Sequence, residues 1–261
     1  MTRLCLFGRG VAAALAAGAL ALGAPAAAGP DLALSAGERT SIYDILRGGA
    51  EIGDVPAAGL SDPTLWTALV RRATTELGLR VRPSAIDPDW AIAPRPRQVE
   101  AEAQAAHAEG RLGPWLAGVA PSAPRYRALE ALRARYLRIV AAGGWPPVPR
   151  GATLRLGASG PAVAALRSRL VAEGYATAAP GETFDAALER ALIDFQRRHE
   201  LKPDGAVGAL TLAALNVSAQ ERLAQIDANL ERWRWLPPLP AERVEVDAGG
   251  AEATLFANDA P

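Results

Sequence analysis

Residues Gly160–Tyr175 read GPAVAALRSRLVAEGY, and Phe184–Val207 read FDAALERALIDFQRRHELKPDGAV; together these two stretches decide the fold. In the first, Gly160-Pro161 opens a helix, Val163, Leu166 and Leu170 recur at i, i+3 and i+7, and Gly174 ends it. In the second, Asp185 stands where a side-chain oxygen caps a helix, and Leu188, Leu192 and Phe195 form its apolar stripe. After His199 the chain turns through Pro203-Asp204-Gly205, and Gly208 introduces a third helix carrying Leu212 and Leu215. Three short helices with glycine turns predict a small bundle over residues 151–217, a size that is marginal but able to fold alone.

Outward from this bundle the chain stays helical. Asp62-Pro63 predicts a helix start, with Asp62 as the cap, Leu65, Leu69, Val70, Ala73 and Leu77 on one face, and Gly78 closing it. A longer helix is predicted from Pro124, with Tyr126, Leu129, Leu132, Tyr136, Ile139 and Val140 on one side and Arg125, Arg133, Arg135 and Arg138 on the other. Gly143-Gly144 stops it, and three prolines within Trp145–Pro149 force extended backbone, marking a boundary or rigid connector. Trp145 is expected to pack over the edge of a helix pair. Ser218-Ala219-Gln220-Glu221 is a capping box for a further helix with Leu223, Ile226, Leu230 and Trp233 on one face, stopped by Pro237-Pro238. Weak alternation at Val244, Val246, Thr254 and Phe256 suggests a hairpin around Gly249-Gly250, which two strands alone would stabilise poorly. The fold class expected is therefore mainly α: a helical scaffold, a three-helix bundle and a short β segment.

The 261 residues carry 28 basic and 28 acidic side chains, and Lys202 is the only lysine. Arg3 and Arg9, the uncharged run Val11–Leu22 and Ala26-Ala27-Ala28 have the order of a secretory signal peptide. The run is too short to span a bilayer core of ~30 Å, so a cleaved signal is expected rather than a transmembrane anchor. Its removal takes two arginines and leaves a net charge of −2, which gives no electrostatic reason to expect a nucleic acid partner. Cys5, the one cysteine, precedes the apolar run, so the exported chain is expected to have no thiol nucleophile, disulfide or thiolate metal ligand.

The 151–217 pattern resembles the peptidoglycan-binding domain of wall hydrolases and transpeptidases. The residues that carry the likeness are Leu156-Gly157, Gly160, Val163, Leu166, Leu170, Gly174-Tyr175, Phe184-Asp185, Ala191, Phe195-Gln196, Leu201, Asp204-Gly205, Val207-Gly208, Thr211 and Leu215. Arg167 stands where that family usually has glutamine, and Glu200 where it has glycine in a left-handed turn. Asp87-Pro88-Asp89-Trp90, Tyr126–Leu129 and Ala141–Pro147 resemble the scaffold domain of large periplasmic L,D-transpeptidases, and Asn229–Pro237 the segment leading into their catalytic domain. Residues 31–60 match poorly. The resemblance implies a signal peptide at 1–28, a scaffold domain at 31–150, a peptidoglycan-binding domain at 151–217, a connecting helix at 218–236 and the truncated start of a catalytic domain at 237–261.

That family joins stem peptides by acyl transfer, with a cysteine nucleophile in a Ser-His-Gly-Cys motif. No such motif occurs in these 261 residues, so the chain as given is expected to bind peptidoglycan in the periplasm without catalysis. Two alternatives stand beside this: an enzyme completed by a downstream segment, and a docking platform for other wall enzymes. No catalytic residue, metal ligand or cofactor is assigned. Two histidines are too few for an ordinary zinc site: His107 reads as solvated beside Glu109, and His199 as a partly positive group at a helix C-terminus. Asp185 and Asp204 read as cap and turn residues rather than an acid–base pair. Tyr175, Phe184 and Gln196, near the turns, are the candidate ligand-binding residues. Trp233, Trp235 and Leu236 are expected to leave an apolar patch that promotes association.

Overall fold

The computed structural model describes residues 32–48, 59–86, 88–175, 180–247 and 252–258. The expected signal peptide, Cys5 and the expected turn at Gly249-Gly250 lie outside the described residues. The protein is mainly helical, with 55% of the described residues in helix and 7% in strand. Its helices are α1 (Ala36–Gly48), α2 (Asp62–Glu76), α3 (Pro83–Ile86), α4 (Val99–Ala108), α5 (Leu112–Ala117), α6 (Pro124–Ala141), α7 (Pro161–Ala172), α8 (Ala186–Arg198), α9 (Ala209–Leu215) and α10 (Ala219–Trp235). The strands β1 (Arg243–Asp247) and β2 (Glu252–Phe256) pair antiparallel, with Val244 opposite Leu255.

The described residues pack as two units, one within Met1–Leu132 and Ile226–Pro240, the other within Arg133–Gln225 and Ala241–Pro261. The first unit is centred on Ile42, Leu46, Leu65, Leu69, Ala103 and Leu112, all fully or almost fully buried. α1 begins with a capping box: the Ser35 backbone N–H donates to Glu38 Oε2 at 2.9 Å, and the Glu38 N–H to Ser35 Oγ at 3.3 Å. Glu38 also holds His107 Nδ1 at 2.6 Å, and the imidazole stands edge-on to Trp66. His107 is therefore engaged across the core rather than solvated beside Glu109.

α2 starts one residue earlier than the sequence predicts. Ser61 is the cap residue, and Asp62 lies in the first turn, accepting the Leu34 N–H at 3.0 Å and pairing with Arg39. Its carboxylate joins the incoming chain to α2 instead of closing its own helix. Gly78 ends α2 at φ 66°, and a Cβ there would meet the Arg234 carbonyl oxygen at 2.8 Å, so the close approach of α10 needs glycine for both reasons.

The expected Trp233–Trp235–Leu236 patch is not formed. Trp235 is buried, with its ring edge-on to Trp90 at 5.4 Å and its Nε1–H donating to Glu231 at 3.2 Å. Trp233 and Leu236 are half-buried. The polar handle of the indole finds a partner inside the unit, which makes burial favourable.

The second unit is the glycine-punctuated bundle. Val163, Leu166, Leu170, Phe184, Leu188, Leu192, Phe195 and Leu215 are fully buried in one core. Gly143-Gly144, at φ 94° and 73°, stops α6, and the Ser218–Glu221 capping box opens α10. In the hairpin, Val244, Val246 and Leu255 are exposed, while Phe256 is buried with the Arg243 guanidinium 4.1 Å from its ring centroid.

Glu200 holds φ 53° just after α8. A side chain in that region costs roughly 1 kcal/mol relative to a relaxed backbone, so the Glu200→Gly variant is expected to be more stable by up to about 1 kcal/mol. Chemical denaturation measures the gain, and an unchanged or lowered midpoint would show that the turn is unstrained.

Candidate functional site

The loops of the second unit are laced together by backbone hydrogen bonds. Leu154 bridges Val207 and Ser159 bridges Thr183, while the Gly157 and Gly160 N–H groups donate to Phe184 and Glu182 carbonyls at 3.0 and 2.9 Å. Arg167, on α7, fastens the same region. Its guanidinium donates to the Gly181 and Thr183 carbonyls and to Asp185 Oδ2 at 3.3, 2.7 and 2.9 Å. The arginine in place of the expected glutamine thus bonds two carbonyls of the turn and a carboxylate at the head of α8, a charge-assisted arrangement.

The three candidate binding residues stand in this framework. Phe184 is fully buried in the bundle core. Gln196 is fully buried too: its amide nitrogen donates to Asp204, the Ala206 carbonyl and Thr211, and its oxygen accepts the Gly205 N–H at 2.9 Å. Tyr175 is 9% exposed, edge-on to Phe195, with the Arg198 guanidinium 5.2 Å from its ring centroid. Tyr175 thus packs on the core through Phe195, while Gln196 bonds to the 204–211 segment. Leu156, Val171 and Leu210 are the large apolar side chains this bundle leaves exposed.

Asp185 Oδ1 accepts the Leu188 N–H at 2.8 Å, and Asp204 Oδ1 accepts the Ala206 N–H at 3.1 Å. Those backbone donors, with Arg167 on Asp185 and Gln196 on Asp204, hold both carboxyls below the usual range. Both carboxylates serve as ionised acceptors, which suits cap and turn roles. Among the described residues, no group of three or more His, Cys, Asp or Glu is placed to hold a metal ion, and no helix is long and apolar enough to cross a membrane.

A polar cluster that sequence reasoning missed supports the bundle from beneath. Arg169 is fully buried, donating from Nε to the Leu215 carbonyl at 2.7 Å and from Nη1 to Glu173 at 2.8 Å. Tyr136 OH donates to the other Glu173 oxygen, and Arg135 donates to the Glu173 carbonyl. Trp145 covers the Arg169 guanidinium at 3.7 Å, which compensates the Nη2 left without a hydrogen bond, and donates its own Nε1–H to Val217 at 3.0 Å. Burial would raise the Glu173 carboxyl, but Tyr136 and Arg169 outweigh it and the net direction is down. Asn216 completes the support by exchanging two hydrogen bonds with the Val148 backbone.

His199 corrects the sequence expectation. Burial first, and then the positive charge of Arg222, push its pKa down to about 4 from an ordinary 6.5, so the imidazole is neutral in the fold. The helix C-terminus attracts a positive ring, but desolvation dominates at this depth. An unfolded chain binds this proton near 6.5 and the folded one only near 4, so stability is full above 6.5 and lost as pH falls toward 4. The loss is expected to be on the order of 3 kcal/mol. A His199→Gln variant should flatten this part of the pH profile of thermal unfolding; an unaltered profile would assign the acid sensitivity elsewhere.

Residues 159–215 match the peptidoglycan binding domain family. A peptidoglycan-binding domain is present in this chain. Its span runs from the Ser159–Thr183 bridge to the end of α9. No curated protein matches the chain. The domain supports a cell-wall binding role, with peptidoglycan as partner.

Proposed function

We propose that this protein is a non-catalytic peptidoglycan-binding component of the periplasmic wall machinery, equivalent to the front half of an L,D-transpeptidase. The observation that carries the wall-binding part of the reading is the family match over 159–215, on a bundle with one buried core. The scaffold-like and tryptophan-rich segments noted in the sequence support the transpeptidase likeness. The signal-peptide pattern supports export, and the absence of a Ser-His-Gly-Cys motif from these residues supports binding without acyl transfer. In this reading Tyr175 and the turns organised by Phe184 and Gln196 border the wall-binding surface.

Co-sedimentation with isolated sacculi tests the proposal. The chain freed of residues 1–28 is expected to pellet with sacculi, and a variant deleted for 151–217 is expected to stay in the supernatant. Retention of the deleted variant, or failure of the whole chain to pellet, would remove the basis for assigning binding to the bundle.

A further inference from the structure

The β1–β2 hairpin is amphipathic in the reverse of the usual sense. Antiparallel sheets ordinarily turn aliphatic side chains toward a core and charged ones toward water. Here the register sets Val244 opposite Leu255 and Val246 opposite Ala253, so these four share one face. That face looks outward: Val244 is 62% exposed, Val246 74% and Leu255 68%, with Ala253 exposed beside them. The reverse face carries Arg243, Glu245, Thr254 and Phe256, all buried or half-buried. Arg243 stands over the Phe256 ring and bonds Glu245 at 2.7 Å, which anchors that side and leaves the aliphatic one to solvent. Asp247 and Glu252, opposed at the last pair of the register, also belong to the charged face.

An exposed aliphatic face marks an interaction surface, and its chemistry selects the occupant. Sugar hydroxyls and charged peptides find no hydrogen-bonding or ionic counterpart among two valines, an alanine and a leucine. A second copy of the same face does fit. Every ionised side chain of the two strands lies on the reverse side, so two copies brought together here meet no like charges. Two strands are marginal as a sheet on their own, and a second hairpin stacked about 10 Å away supplies the missing layer of a small sandwich. Pairing through the strand edges is disfavoured, because β1 laid antiparallel on its own copy in full register sets Glu245 opposite Glu245. Four side chains fall well short of the ~800 Å² per partner of a standard interface, which fits a weak, reversible dimer rather than a permanent one.

We propose that the protein dimerises weakly through this face, with Val244, Val246 and Leu255 of one copy packed on those of the other about a two-fold axis. The dissociation constant is expected to be on the order of 100 µM. One consequence rests on wall binding by the bundle: the dimer presents two wall-binding domains at once. Chains seated on neighbouring wall sites meet at effective concentrations that reach the millimolar range. A contact too weak to pair dilute chains therefore pairs those gathered on the wall.

Sedimentation equilibrium tests this without sacculi, on the chain freed of residues 1–28 so that the apolar run Val11–Leu22 does not contribute. The weight-average mass is expected to rise from one copy toward two between about 10 and 500 µM. Methyl NMR signals of Val244, Val246 and Leu255 are expected to shift over the same range. Val246→Lys and Val246→Glu are each expected to weaken dimerisation about tenfold or more, and an equal mixture of the two to recover much of it. Val246→Thr keeps the β-branched shape and is expected to weaken it about threefold at an unchanged melting temperature, which separates lost apolar contact from a lost hairpin. The mass of one copy at the highest concentration overturns the proposal and assigns the face to a different polypeptide. Association that persists in Val246→Lys, or methyl shifts confined to other residues, overturns it too. Self-association without pelleting on sacculi upholds the dimer and removes the wall-binding reading alone.

Discussion

Replacing Arg169 with methionine is expected to destabilise the second unit by about 3–5 kcal/mol, the usual cost of removing one partner from a buried ion pair. Arg169 is fully buried and serves three neighbours at once: Glu173, the Leu215 carbonyl and the face of Trp145. Methionine fills much of the volume, so the loss isolates electrostatics from packing. Glu173 would keep Tyr136 OH but lose its guanidinium. The double change Arg169→Met with Glu173→Met removes both charges, and it is expected to recover most of the loss. Urea unfolding of the parent and these two variants measures this. A single variant within about 0.5 kcal/mol of the parent would show that the pair contributes no more than an ordinary surface contact.

The Glu76→Ala substitution is expected to damage the first unit by a similar or larger amount, about 3–5 kcal/mol. Here one carboxylate holds Tyr126, Arg72 and Arg234, so its removal leaves two buried guanidinium groups facing each other with a hydroxyl that has lost its acceptor. A fall of roughly 10 °C in the melting temperature is the corresponding size for a unit of this length. Tyr126→Phe, which removes only the hydroxyl, is expected to cost about 1–2 kcal/mol and so calibrates the scale. Equal effects of Glu76→Ala and Tyr126→Phe would mean that the arginines find other anions when Glu76 is gone.

These two clusters also show where sequence reading reaches and where it stops. Helix ends were legible because glycine and proline have few backbone options: Gly78, Gly143, Gly174 and Pro161 all stand at ends the sequence marks. The bundle core was legible because Leu166, Leu170, Leu188, Leu192 and Phe195 repeat at helical spacing. The buried ion pairs were not. Arg72–Glu76 and Arg169–Glu173 are both i,i+4 pairs, the spacing that ordinarily decorates a solvated helix face. With arginine supplying all but one of the chain's Lys and Arg residues, nothing local separates an arginine in the core from one in water. The same blindness affects Gln196 and Phe184, whose closeness to turns suggested a binding surface while their side chains bond and pack inward.

Tyr126 and Tyr136 were recognisable as members of one apolar face of α6, but their hydroxyl partners were not. Glu76 and Glu173 lie 50 and 37 residues away along the chain, distances that local pattern cannot span. His199 failed for a related reason: its place at a helix end was evident, whereas Arg222, which helps keep it neutral, comes from another helix.

The bond from Arg234 to Glu76 joins residues 158 positions apart, and Gly78 lies against the carbonyl of that same arginine. A ribosome must therefore finish α10 before the first unit can close. Residues 133–225, a continuous run that holds the whole wall-binding bundle, emerge before that moment and can collapse on local contacts alone. Synthesis is thus expected to complete the bundle ahead of the first unit, with α2 lacking the Arg234 partner of Glu76 until α10 has been made. A fragment that ends before residue 226 is expected to leave Glu76 without Arg234, so a version of the first unit that keeps this pair has to carry residues 226–240 or receive them in trans.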